Sequence, residues 1–104
     1  MSLTIRTPAD LQAEAQARAK EAITRAVDAH VEAQAKAMSY NSAAHLASYV
    51  ASGVPQWASE AQTFVAWRDA VWLAAIDMLA DAEASGEAPS IENVIAALPE
   101  WPET

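Results

Sequence analysis

Between Pro8 and Met38 no residue breaks a helix, and the whole chain of 104 residues contains only two glycines, Gly53 and Gly86. Thirty-one helix-compatible residues in a row, dominated by alanine, leave few folds open. Thr7-Pro8-Ala9-Asp10 supplies the start. The threonine can accept from the amide three residues on, proline suits the first helical position, and Asp10 can reach back to the cap. Glu14 with Arg18, Glu21 with Arg25, and Glu32 with Lys36 stand four residues apart in the favourable order. The large apolar residues Leu11, Ile23, Val27, Val31 and Met38 make only a thin stripe among alanines, so this helix is poorly able to build a core alone.

Ser39-Tyr40-Asn41-Ser42 interrupts the pattern. Asn41 or Ser42 can cap a second helix ending at Gly53, and Val54-Pro55 resets the chain into a third that stops at Ser85-Gly86. Ser90 caps a last short helix halted by Pro99, with Trp101 and Pro102 in an extended tail. No segment alternates with a period of two, so the expected class is all-α. It comprises a long amino-terminal helix over about 8–38 and a head of three helices over about 42–52, 56–85 and 91–98. A 31-residue helix is about 46 Å long, whereas a compact remainder would be about 28 Å across. Residues 1–38 are therefore expected to form an extended arm and residues 39–104 a helical head.

Charge is unevenly placed. Residues 1–36 carry five Lys/Arg and five Asp/Glu, while residues 37–104 carry only Arg68 against nine carboxylates, for a net −8. An acidic surface repels phosphate backbones and anionic lipid, so neither nucleic acid nor membrane is the expected partner. No window reaches the ~20 apolar residues of a membrane span, and the start carries no targeting pattern. The lack of cysteine rules out disulfides and is compatible with a reducing cytoplasm.

The aromatic residues concentrate in one helix. At about 100° per residue, Trp57, Phe64, Trp67 and Trp72 fall within an arc of roughly 140° with Arg68 at its centre, wider than the usual stripe of a surface helix. Val65, Val71, Ile76, Met78 and Leu79 extend the apolar character further. Two readings stand for the four tryptophans. They fill the core where other helices cross the third, or at least one stays exposed as an anchor, since tryptophan and arginine are enriched at binding hot spots. The arginine must stack on a ring, pair with a carboxylate or reach water. The expected arrangement is stacking on Trp67 or Trp72 with a pair to Glu60, Glu100 or Glu103.

Catalytic constellations are absent from the pattern. His30 and His45 lack metal-ligand spacing, Asp77 and Asp81 read as an exposed acidic edge, two glycines cannot cradle a phosphate, and no nucleophile elbow occurs. The expectation is a non-enzymatic protein with no metal and no cofactor.

The run from His30 to Ser42, Ala47-Ser48-Tyr49, and Phe64-Val65-Ala66-Trp67-Arg68-Asp69-Ala70-Val71-Trp72 together resemble a module of small tail-region proteins of tailed bacteriophages and prophages. It covers about residues 30–101. In that group the turn usually reads Gly-Tyr-Asp-Ser; here Ser39 and Asn41 replace the glycine and aspartate. The resemblance implies a structural or assembly component of a virion tail, put together in the host cytoplasm, with a fibre or baseplate protein as partner. It equally admits a fibre chaperone that leaves before maturation. An acidic inhibitor of a host enzyme is a rival, but the carboxylates are spread at about one per seven or eight residues rather than along one face. Trp57, Phe64, Trp67, Arg68, Trp72 and Trp101 are the expected partner-binding residues of the head. Leu11, Ile23, Val27 and Val31 are those of the arm, which also offers a route to a homo-oligomer.

Overall fold

The structure, a computed structural model, describes residues 6–102. It contains four helices, α1 (Pro8–Ala37), α2 (Ala43–Ala47), α3 (Pro55–Ser85) and α4 (Ile91–Ala97), and no strand among the described residues. The all-α class and the long first helix are as expected.

Local chemistry sets most helix ends. Thr7 Oγ1 accepts from the Asp10 amide and the Asp10 carboxylate accepts from the Thr7 amide, both at 3.1 Å, with Pro8 in the first turn. At the other end of α1, Ser39 takes φ 72°, a left-handed conformation that costs a non-glycine residue about 1–2 kcal/mol. It turns the chain so that the Tyr40 amide donates back to the Ala35 carbonyl at 3.0 Å. Ser42 then caps α2 by accepting from the His45 amide, and Glu32 on α1 accepts from the Ala43 amide with both carboxylate oxygens. Gly86, at φ 78°, ends α3 in the left-handed position that glycine adopts without strain. Ser90 caps α4 by accepting from the Asn93 amide at 3.1 Å.

α2 stops at Ala47, earlier than the expected 52. Beyond Ser48 the amides of Tyr49, Val50 and Ser52 reach carbonyls only three residues back, so the winding tightens into turns. Those turns carry the Tyr49 ring onto Tyr40 and Trp57. Gly53 therefore terminates no helix; it lies in the link to α3, where a side chain would meet nothing within 4 Å.

α1 and α3 run antiparallel along nearly their whole length. Gln16 Nε2 donates to the Gly86 carbonyl at 2.9 Å, Lys20 pairs with Glu83 at 3.1 Å, His30 lies against Trp67 with ring centroids 5.7 Å apart, and Tyr40 meets Glu60. α2 packs on both long helices, and α4 packs on α1. This arrangement corrects the picture of a projecting arm. The remainder of the chain is not a compact 28 Å body, because α3 is as long as α1 and lies beside it. Ile23, Val27, Val31 and Ala35 are consequently core residues, joined by Leu46, Ala61, Phe64, Trp67, Val71, Ala75, Val94 and Leu98. Only the first turns of α1, residues 8–13, are exposed throughout. The molecule measures 61 × 32 × 19 Å.

Of the three charge pairs expected along α1, Glu21 and Arg25 meet at 3.5 Å. Glu14 pairs with Arg6 instead, and Glu32 serves α2.

Candidate functional site

The residues expected to bind a partner separate by burial. Ile23, Val27, Val31, Phe64 and Trp67 lie inside the core and present no surface to a partner. Trp72 and Trp101 are half-buried at its margin. Trp67 donates its indole N–H to the Pro99 carbonyl at 2.9 Å and holds the Trp101 ring edge-on at 5.4 Å, so the tail after α4 is tied down on α3. Trp57 is the exposed tryptophan, with 46% of its surface in water, and Leu11 is half exposed.

Arg68 does not find the partners expected of it. Its Nε and Nη2 both donate to Asp69 Oδ1, at 3.2 and 3.0 Å, rather than to Glu60 or Glu100; Glu103 lies outside the described residues. An adjacent carboxylate needs no tertiary positioning and is met first. The pair is solvent-accessible and of small energetic weight.

The most exposed of the large apolar side chains among the described residues are on the far side of α3. Leu73 sits about 180° around the helix from Phe64, and Ile76 about 120°; they are 65% and 56% exposed. Ala66, Ala70 and Ala80, also exposed, lie within about 60° of Leu73 around the helix, and Asp69 and Asp77, about 40° to either side of Leu73, stand among them. An aromatic reading of α3 passes over Leu73. The signal that finds it is its place half a turn away from Phe64 and Val71, where a helix buried on one side only should be polar.

A second feature gathers at the opposite end of α3. Tyr40 from the α1–α2 link, His45 on α2, Tyr49 from the turns after it, and Trp57 and Glu60 at the start of α3 line a concavity of about 400 Å³. Tyr40 donates its hydroxyl to Glu60 Oε2 at 2.7 Å and Gln56 Nε2 donates to Oε1 at 3.1 Å. The Tyr40 hydroxyl, and after it the Gln56 amide, hold the Glu60 carboxyl below its ordinary value of 4.5. The same bond raises the Tyr40 phenol from 10.0 to about 12, with burial adding to the effect.

Both shifts tie this contact to stability. Glu60, whose acidity is increased by folding, contributes stability that is complete above pH 4.5 and fades as pH falls through its lower folded value. Tyr40 contributes stability that is complete below pH 10.0 and fades as pH rises towards about 12. Tyr40→Phe is therefore expected to move the Glu60 titration up towards 4.5, seen in carboxyl carbon resonances. The stability gap between wild type and variant should be widest at neutral pH and narrow on acidification. A Glu60 titration identical in the two proteins would show that the hydroxyl does not hold the carboxylate.

Among the described residues no three His, Cys, Asp or Glu side chains cluster as metal ligands, and no helix is long and apolar enough to cross a membrane. The architecture is that of an antiparallel pair of long helices braced by two short ones. No protein-family model matches this sequence, and searches of curated proteins and of solved structures found no match either.

Proposed function

We propose that this chain is a non-enzymatic assembly protein that docks a partner polypeptide along the outer face of α3. The observation that carries the reading is the pair Leu73 and Ile76, large apolar groups held in water on a helix whose other face is fully occupied. Isolated exposed apolar side chains are ordinary; Leu73 and Ile76 at i, i+3 spacing, with Ala66, Ala70 and Ala80 beside them, form one apolar face in which only Asp69 and Asp77 are charged. With Asp69 and Asp77 on either side of Leu73 within this face, it fits a partner surface in which basic groups stand among apolar ones. A second copy of the same face would set like charges against each other.

The resemblance to small tail-region proteins of tailed phages supplies the setting, with a fibre or baseplate protein as the partner and the virion tail as the destination. Ser39 occupies a left-handed position where that group usually carries glycine, which supports the alignment of the turn. Co-expression with the products of adjacent genes tests the reading. A complex is expected that survives purification, and the double substitution Leu73→Lys with Ile76→Lys, good helix formers beside Asp69 and Asp77, should abolish it while leaving the unfolding temperature within a few degrees. A complex indifferent to both substitutions would remove the α3 face from the interface. Mass spectrometry of purified particles then separates a resident tail component from a chaperone that departs.

A further inference from the structure

The concavity beside Trp57 has the composition of a receptor for an organic cation. Its lining brings together four rings, those of Tyr40, His45, Tyr49 and Trp57, and one carboxylate, Glu60, but neither lysine nor arginine. The rings are not a flat stack. Tyr49 and Trp57 meet at 64° with centroids 5.5 Å apart, Tyr40 and Tyr49 at 52° and 5.8 Å, and His45 and Tyr49 at 36° and 5.3 Å. Rings inclined to one another present π faces from more than one side, and a π face attracts a cation.

Glu60 is fixed within this wall. Its two oxygens each accept one hydrogen bond from the protein, from Tyr40 and Gln56, and a carboxylate offers about four acceptor positions, so it can take further donors from a ligand without losing those it has. His45 is the one lining group able to become cationic, and its Nε2 is engaged with the Tyr49 hydroxyl at 3.0 Å. The nearby acidic segment has a single cation of its own, Arg68, which is held by Asp69.

We propose that the Tyr40, Tyr49, Trp57 and Glu60 concavity binds an arginine side chain of a partner polypeptide, its guanidinium stacked on the Trp57 or Tyr49 ring and donating to the Glu60 carboxylate. Arginine fits better than lysine because its planar head can stack and donate at once, whereas an ammonium is a compact point charge with a stronger hydration shell. The site deepens the assembly reading by naming a contact chemistry of the partner. It lies 13 residues from Leu73 along α3, about 20 Å at 1.5 Å per residue, so the two surfaces are separable by mutation.

The test uses the full-length protein with N-acetyl-arginine amide as the probe, N-acetyl-lysine amide as the competitor class, and the uncharged N-acetyl-citrulline amide as the control. The expected result is a saturable shift of the Trp57 indole N–H resonance with an arginine dissociation constant on the order of 10 mM, several-fold weaker for lysine and absent for citrulline. Glu60→Gln keeps an acceptor for the Tyr40 hydroxyl and so preserves the fold; it should weaken arginine binding at least about fivefold. Trp57→Leu, read from the Tyr49 ring resonances, should weaken it about threefold or more. No saturable shift up to 100 mM arginine probe, an equal response to citrulline, or binding unchanged by Glu60→Gln would each overturn the proposal. Because the probe is a single amino acid, such a failure leaves docking along Leu73 and Ile76 standing, and loss of that docking leaves this site to be judged on its own titration.

Discussion

Phe64→Ala is expected to lower stability by about 3–5 kcal/mol, a large share of the roughly 5–15 kcal/mol that a chain this size has to lose. Phe64 is completely buried at the middle of α3, with the Trp67 ring 6.0 Å and the Trp101 ring 6.4 Å from its own. Truncation removes its transfer free energy and leaves a cavity that rigid neighbours on α1 and α3 can only partly fill. It also takes away part of the seat on which Trp101 holds the tail. Thermal and urea unfolding should show a melting temperature about 15–30 °C lower. Leu73→Ala is the matched control, since a side chain 65% in water should change stability by no more than about 0.5 kcal/mol. Were Phe64→Ala to cost less than about 1 kcal/mol, the packing of α3 against its neighbours would be wrong.

The elements that could be read from the sequence are those whose physics is local. Thr7 with Asp10, Ser42, Gly86 and Ser90 each act within four residues of the helix end they define, and each does so in the structure. What escaped depends on how helices come together. α2 ends early because Tyr49 is drawn onto Tyr40 and Trp57, rings eight or nine positions away along the chain. The Tyr40–Glu60 contact spans twenty residues and follows from the register of α1 on α3, which no spacing rule supplies. The tryptophans illustrate the same limit. Their shared arc placed them on one side of α3 but could not rank them, and burial runs from Trp67 at 5% exposed to Trp57 at 46%. Leu73 was legible in principle, as an apolar position opposite an already apolar arc, whereas Ile76, about 40° beyond Trp72, reads as an extension of that arc.

Alanine was the most misleading residue. A scarcity of large side chains in α1 reads as inability to form a core, yet Ala35, Ala61 and Ala75 are completely buried, and they reduce the space that side chains must fill where the long helices pack. Small residues at a helix contact allow close approach of the backbones, and the packing then comes from many short contacts rather than from a few large side chains. The consequence is a strict size limit. Ala75→Leu, and likewise Ala61→Leu, is expected to destabilise the fold by about 1–3 kcal/mol or more, although leucine is an excellent helix former and more hydrophobic than alanine. The added carbons have no void to enter, so they must push α3 from its neighbours or force strained rotamers. Ala66→Leu and Ala80→Leu, on the exposed face of the same helix, should lie within about 0.5 kcal/mol of wild type, because nothing opposes the larger side chain there. Urea denaturation of the four variants provides the comparison. Equal effects at buried and exposed alanines would mean that these helices are not closely packed, and the long antiparallel pair would then be no firm platform for a docking face on α3.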